Sequence, residues 1–96
     1  MSDVRRIVLD VLKPHDPPLL VFTDRIAEAE SVAAATGTVL ELDEDVQNVS
    51  VTVEGSSLDY DAIEDAIEDL GATVHSVDQV ACGEHVVERR PTPQDG

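Results

Sequence analysis

The stretch Asp10-Val11-Leu12-Lys13-Pro14-His15-Asp16-Pro17-Pro18 constrains this chain more than any other. Proline has no backbone N–H, so neither a sheet ladder nor a helix interior runs through Pro14, Pro17 and Pro18. The stretch must close one element, turn, and open another. Upstream, residues 5–12 alternate, with Ile7, Leu9 and Val11 on one face and Val8, Asp10 and Leu12 on the other, which predicts a strand. Downstream, Asp16 is placed to cap a helix whose first turn is Pro17-Pro18. Leu19, Phe22, Ile26 and Ala29 recur at helical spacing as its core face. The pattern frays by Ala33-Ala34-Ala35 and stops at Gly37.

The rest of the chain continues the alternation of periods. Thr38–Asp43 put Leu40 and Leu42 on one face and Val39, Glu41 and Asp43 on the other. After a polar turn at 44–47, Val49, Val51 and Val53 face inward and Ser50, Thr52 and Glu54 outward, completing a hairpin. A second helix spans about Asp59 to Leu70, capped by Asp59 and ended by Gly71, with Ile63, Ala66, Ile67 and Leu70 as its apolar stripe. Ala72–Ala81 read as the last full strand, and His85–Glu88 as a short extra one. The order strand, helix, strand, strand, helix, strand is the ferredoxin-like βαββαβ pattern, an α+β fold. It predicts an antiparallel four-stranded sheet in the order 4-1-3-2, with both helices on one face. A single domain is expected over 1–88 and a flexible tail over 89–96.

Charge narrows the habitat and the partners. The 96 residues carry 21 acids against 6 bases, a net −15, and such an excess repels phosphate backbones. Nucleic acid is therefore not an expected partner. No apolar run reaches the ~20 residues a membrane span needs, and no signal pattern opens the chain, so a cytoplasmic protein is expected. Acids spread over patterned segments, a single lysine and small core residues fit a salt-rich cytosol. Cys82 is alone, in keeping with a reducing compartment.

Two motifs resemble a known family. Asp10-Val11-Leu12-Lys13-Pro14-His15-x-Pro17 and Gly71-Ala72-x-Val74-His75-Ser76-Val77-Asp78-x-Val80 look like the archaeal domain of unknown function 211. The resemblance runs from about Arg5 to Glu88. It implies a ferredoxin-like fold and closed homo-oligomers, often rings, and no established enzymatic activity. The chain departs from that pattern in its acidic surface, Cys82 and Val21.

The sheet order brings possible chemistry to one edge. The end of the first strand should approach the start of the last, gathering Asp10, Lys13, His15, His75 and Asp78, with Asp10 beside Ser76 or Asp78. Asp10 and Asp78 could hold calcium or magnesium through oxygen, or His15 and His75 with a carboxylate could hold a transition metal. The structural alternative is that these groups fix the turn and hydrogen-bond across the sheet. Lys13 could anchor an anion or pair with an acid of a neighbouring subunit. Cys82-Gly83-Glu84-His85 is a weak thiolate–imidazole pair.

These readings converge on a non-enzymatic homo-oligomer larger than a dimer, with divalent cations at acidic sites. The alternative is a regulatory module binding a small molecule between subunits. The expected interface residues are Arg5, Arg6, Val8, Leu12, Lys13 and Val80. Val8, Leu12, Val39 and Val80 make the uncovered face apolar, and Arg5 and Arg6, with Arg89 and Arg90, make a basic end for head-to-tail contact.

Overall fold

The computed structural model of the protein describes residues 2–84. Its elements are β1 (Val4–Pro14), α1 (Leu19–Ala27), β2 (Ala34–Leu42), β3 (Val46–Glu54), α2 (Tyr60–Asp69) and β4 (Thr73–Cys82). Every neighbouring pair of strands is antiparallel, and the sheet order is β2-β3-β1-β4, or β4-β1-β3-β2 counted from the other edge. The expected short strand at 85–88 and the tail at 89–96 lie outside the described residues. Among the described residues no helix is long and apolar enough to cross a membrane.

Alternation in the two central strands builds the core. Ile7, Leu9 and Val11 of β1 stand opposite Val53, Val51 and Val49 of β3, and all six are buried. Phe22 and Ile26 of α1 and Ile63 and Ile67 of α2 close over that face, all fully buried. Each such side chain contributes about 1.5–3 kcal/mol relative to exposure. Phe22 is the one fully buried ring, with Tyr60 partly buried against the core, so branched aliphatics do most of the filling. The α2 helix starts and stops as its sequence expects. The Asp59 carboxylate accepts from Ala62 N–H at 3.3 Å, and Gly71 at φ +86° ends the helix.

The first helix and the second strand differ from the sequence reading. α1 begins at Leu19 with Pro18 at the cap position and no side-chain cap bond, so Asp16 does not cap it. It ends at Ala27, and Ala34 to Gly37 belong to β2 rather than to a fraying helix. Helix propensity in the alanine run loses to pairing: Ala33 N–H donates to Glu54 O at 2.7 Å, and Ala35 stands opposite the buried Val53. A register shift at Leu40 then changes which side chains face inward. Val39, opposite Val49, packs against the core, whereas Leu40 and Leu42 are 57% and 67% exposed.

The uncovered face is also different from expectation. Of the four apolar residues assigned to it, Val8 and Leu12 are there. Val39 is not, and Val80 stands opposite Ile7 on the helix side. Two register shifts in β4, leaving out His75 and Asp78, put Val74, Val77 and Val80 on one face where strict alternation would not. The uncovered face is instead mostly polar, carrying Asp10, Asn48, Ser50, Thr52, Ser76 and Gln79 beside Val8 and Leu12.

The crossing of two loops depends on Gly55. Its N–H donates to Arg5 O at 3.0 Å, and a Cβ built on it would overlap the main-chain oxygen of Ser31. Main chain cannot rotate away as a side chain can. Gly55→Ala should therefore destabilise the protein by about 1–3 kcal/mol, read from urea unfolding. Ser56→Ala, at the exposed next position, should stay within about 0.5 kcal/mol of wild type.

Candidate functional site

The β1–α1 corner collects the groups that the sequence marked for chemistry, beginning with Lys13. Its place in the alternation after Ile7, Leu9 and Val11 turns it inward, and it is fully buried. Nζ donates to Pro14 O at 2.8 Å, His15 O at 3.4 Å and Gln47 Oε1 at 3.1 Å. It also lies 5.6 Å from the Phe22 ring centroid. An ammonium has three N–H donors, and here there are three oxygen acceptors. Lys13 therefore cannot pair with an acid of another subunit or reach an anion, and the interface role expected for it does not hold. Its burial is the reason.

Burial also lowers the Lys13 pKa from its ordinary value, with the Asp16 charge opposing the shift. The unfolded chain then keeps its proton to higher pH than the folded one. Stability on account of this group rises with pH between the folded pKa and about 10.4, because the unfolded state binds more protons there. Lys13→Met removes that dependence. Urea unfolding at pH 8, 9 and 10 should show wild type gaining on Lys13→Met as pH rises, while titrations common to both cancel.

His15 ties this corner to the hairpin. Its Nε2 lies 2.7 Å from Asp43 O, so the ring donates through Nε2 and links the β1–α1 connection to the β2–β3 turn. Asp10 sits on the uncovered face, accepts from Asn48 Nδ2 at 2.7 Å, and stands opposite Ser76. The Ser76 hydroxyl donates to Asp78 Oδ1 at 2.8 Å. His75 is exposed at the other register shift. Ser76 thus stands opposite Asp10 and bonds Asp78, while His15 is held at the hairpin and His75 lies in β4. Among the described residues no three His, Cys, Asp or Glu side chains are grouped so as to hold a metal ion. Cys82 is exposed, and His85, the other half of the thiolate–imidazole pair, lies outside the described residues.

The expected basic end is engaged within the chain. Arg6 pairs across the sheet with Glu54, Nε to Oε2 at 2.7 Å, and Arg5 Nε donates to Gly83 O at 2.7 Å. Arg5 thus helps hold the end of β4 against β1. Arg89 and Arg90 lie outside the described residues.

Two partners were missed by sequence reading, Gln47 for Lys13 and Asn48 for Asp10. The hairpin held the signal. Once Val49 is opposite Val11, Gln47 falls opposite Lys13 and Asn48 comes diagonally next to Asp10.

Larger exposed side chains gather elsewhere. Leu20, Val21, Leu40, Leu42 and Val46 are exposed on α1, β2 and the hairpin, and Val77 and Val80 on β4. A groove of about 330 Å³ between α1 and β2 is lined by Leu19, Leu20, Thr23, Ala35, Thr36 and Gly37.

Comparison with known proteins agrees with the two motifs. The model of the DUF211 family, described as uncharacterized ArCR, matches residues 5–96. The uncharacterized protein MJ0319 of the archaeon Methanocaldococcus jannaschii is 43% identical over 95 residues, covering 99% of this chain and 98% of that protein. With nearly the full length matched on both sides, the chain belongs to the DUF211 family.

Proposed function

We propose that this is a non-enzymatic protein that works as a closed homo-oligomer, a ring or cage, in a salt-rich cytoplasm, on a ferredoxin-like chain. The observation that carries this reading is the placement of uncovered apolar side chains at both edges of the sheet. Leu20, Leu40 and Leu42 lie along the β2 edge, 57–82% exposed, and Val77 and Val80 along the β4 edge, 46% and 53% exposed. Two apolar edges of different makeup suit head-to-tail contact between copies, which closes into a ring when the rotation permits. The mostly polar uncovered face needs no lid.

The non-enzymatic part is supported by what the candidate groups already do. Lys13 is held by carbonyls, His15 by the hairpin, and Asp10 and Asp78 by neighbouring side chains. Calcium or magnesium enters the proposal only at junctions between copies. Two carboxylates from one chain would leave most of calcium's ~6–8 oxygen positions to water, and acids of a neighbouring copy would strengthen such a site.

Light scattering after size exclusion in molar KCl should give a mass above that of a dimer. A monomer would overturn the reading. Thermal unfolding from low to molar KCl should shift upward, because like charges repeat at i, i+4 along α2 at Asp61, Asp65 and Asp69. A melting temperature that is flat or falls with salt removes the salt-rich habitat.

A further inference from the structure

Asp43, Glu44, Asp45 and Val46 line an open pocket of about 460 Å³ at the β2–β3 turn. The turn is held in place, since Asp43 N–H donates to Val46 O at 2.9 Å and Asp43 O accepts from His15 Nε2 at 2.7 Å. Its three side-chain carboxylates make no hydrogen bond or ion pair among the described residues. Leu42 and Val46 flank them, both exposed. Acidic and apolar groups thus share one corner that no described residue neutralises. Matching groups lie just past Glu84, where His85-Val86-Val87-Glu88-Arg89-Arg90 sets two valines before two adjacent arginines. Of the chain's other bases, Arg5, Arg6 and Lys13 are engaged at Gly83, Glu54 and the β1–α1 turn, and Arg25 sits on α1. We propose that residues 86–90 of one copy seat on the β2–β3 hairpin of the next, valines against Leu42 and Val46, arginines against the three acids. This rests on the homo-oligomer reading above and names its joint.

Reach decides that the hairpin belongs to another copy. β4 ends beside Val4, at one end of β1, and the hairpin turns beyond Pro14, at the other. The 11 residues of β1 separate these ends by roughly 33 Å. From Glu84 to Arg90 the main chain covers at most ~22 Å in any conformation. The shortfall exceeds an arginine side chain, and the hairpin also lies across the sheet from β4. Composition disfavours other seats. The acids of α2 have no exposed large apolar side chain beside them, and Asp24, near Leu20 and Val21, is followed by Arg25. Exposed ion pairs are weak and screened, so charge chooses where the segment lands and the valines supply the burial.

Arg89→Glu with Arg90→Glu reverses the segment, and Glu44→Arg with Asp45→Arg reverses the hairpin, where both positions are exposed. Far-UV circular dichroism confirms folding, and Glu44→Lys with Asp45→Lys replaces a hairpin variant that fails. Light scattering after size exclusion is read at the lowest KCl concentration that keeps the wild type folded. The wild type should be an oligomer and each reversed variant should fall to a lower mass. One chain carrying both reversals should regain the wild-type mass, since opposite charges meet again. An equimolar mixture of the two reversed variants should assemble as well, because each segment finds an opposite hairpin on the other chain. A wild type monomeric here and in molar KCl overturns the homo-oligomer reading itself. A wild type that assembles only in molar KCl overturns this joint, because screening does not strengthen a charge-guided contact. Reversed variants that keep the wild-type mass leave the homo-oligomer reading standing and overturn the joint. So does a loss that neither the doubly reversed chain nor the mixture restores. Recovery in the doubly reversed chain but not in the mixture puts the contact within one chain and overturns seating between copies.

Discussion

The pairing of β1 with β3 is the constraint from which the rest of the structure follows. Nine consecutive residue pairs, Arg6↔Glu54 through Pro14↔Val46, run without a register shift. This is the only one of the three pairings free of them. A slip of one residue would turn Ile7, Leu9 and Val11 away from the helices, so the buried face fixes the register strongly. With that register set, Arg6 meets Glu54, Lys13 meets Gln47, and Asn48 reaches Asp10. All the register shifts fall in the two outer pairings.

Lys13 shows what such a register imposes on chemistry. The inward position after Val11 would ordinarily take another aliphatic side chain. An ammonium there is expensive unless every donor is met, and the β1–α1 turn supplies two main-chain oxygens while β3 supplies the amide of Gln47. The long methylene stem fills the corner like a core residue, and the head holds together a turn that the prolines have stripped of N–H donors. The chain's one lysine, expected to anchor an anion or pair with a neighbouring subunit, is thereby one of its least accessible groups. Substrate chemistry needs an approachable group, and this one is enclosed.

How much was legible follows from which strands keep their period. The element order, the valines of β3 and the caps of α2 could all be read, because alternation and punctuation agreed there. The Ala33–Ala35 run could not, since its helical preference is local and its partner Glu54 lies about twenty residues away. Val80 was put on the wrong face because bulges are not written in an apolar–polar pattern. Each inserts one residue and exchanges the faces of everything beyond it. The candidate site suffered from the same cause. Asp10, Asp78 and His75 were expected together at one edge of the sheet, but two of the three are the residues left out of register in β4.

The bulges and the acidity fit together as a single way of controlling contact. An edge strand with an unbroken row of free N–H and C=O groups pairs with whatever strand it meets, and charge ordinarily keeps such edges apart. In molar salt the Debye length falls to about 3 Å, so the net −15 of this chain protects its edges poorly. Broken register does not depend on salt. Shifts in both β2 and β4 spoil the ladder while leaving leucines and valines at the edges. Contact at these edges then depends on side-chain shape more than on aligned backbones. The arginines of the first strand are consistent with this division. Arg6 faces Glu54 and Arg5 reaches Gly83, so both arginines make contacts within the chain.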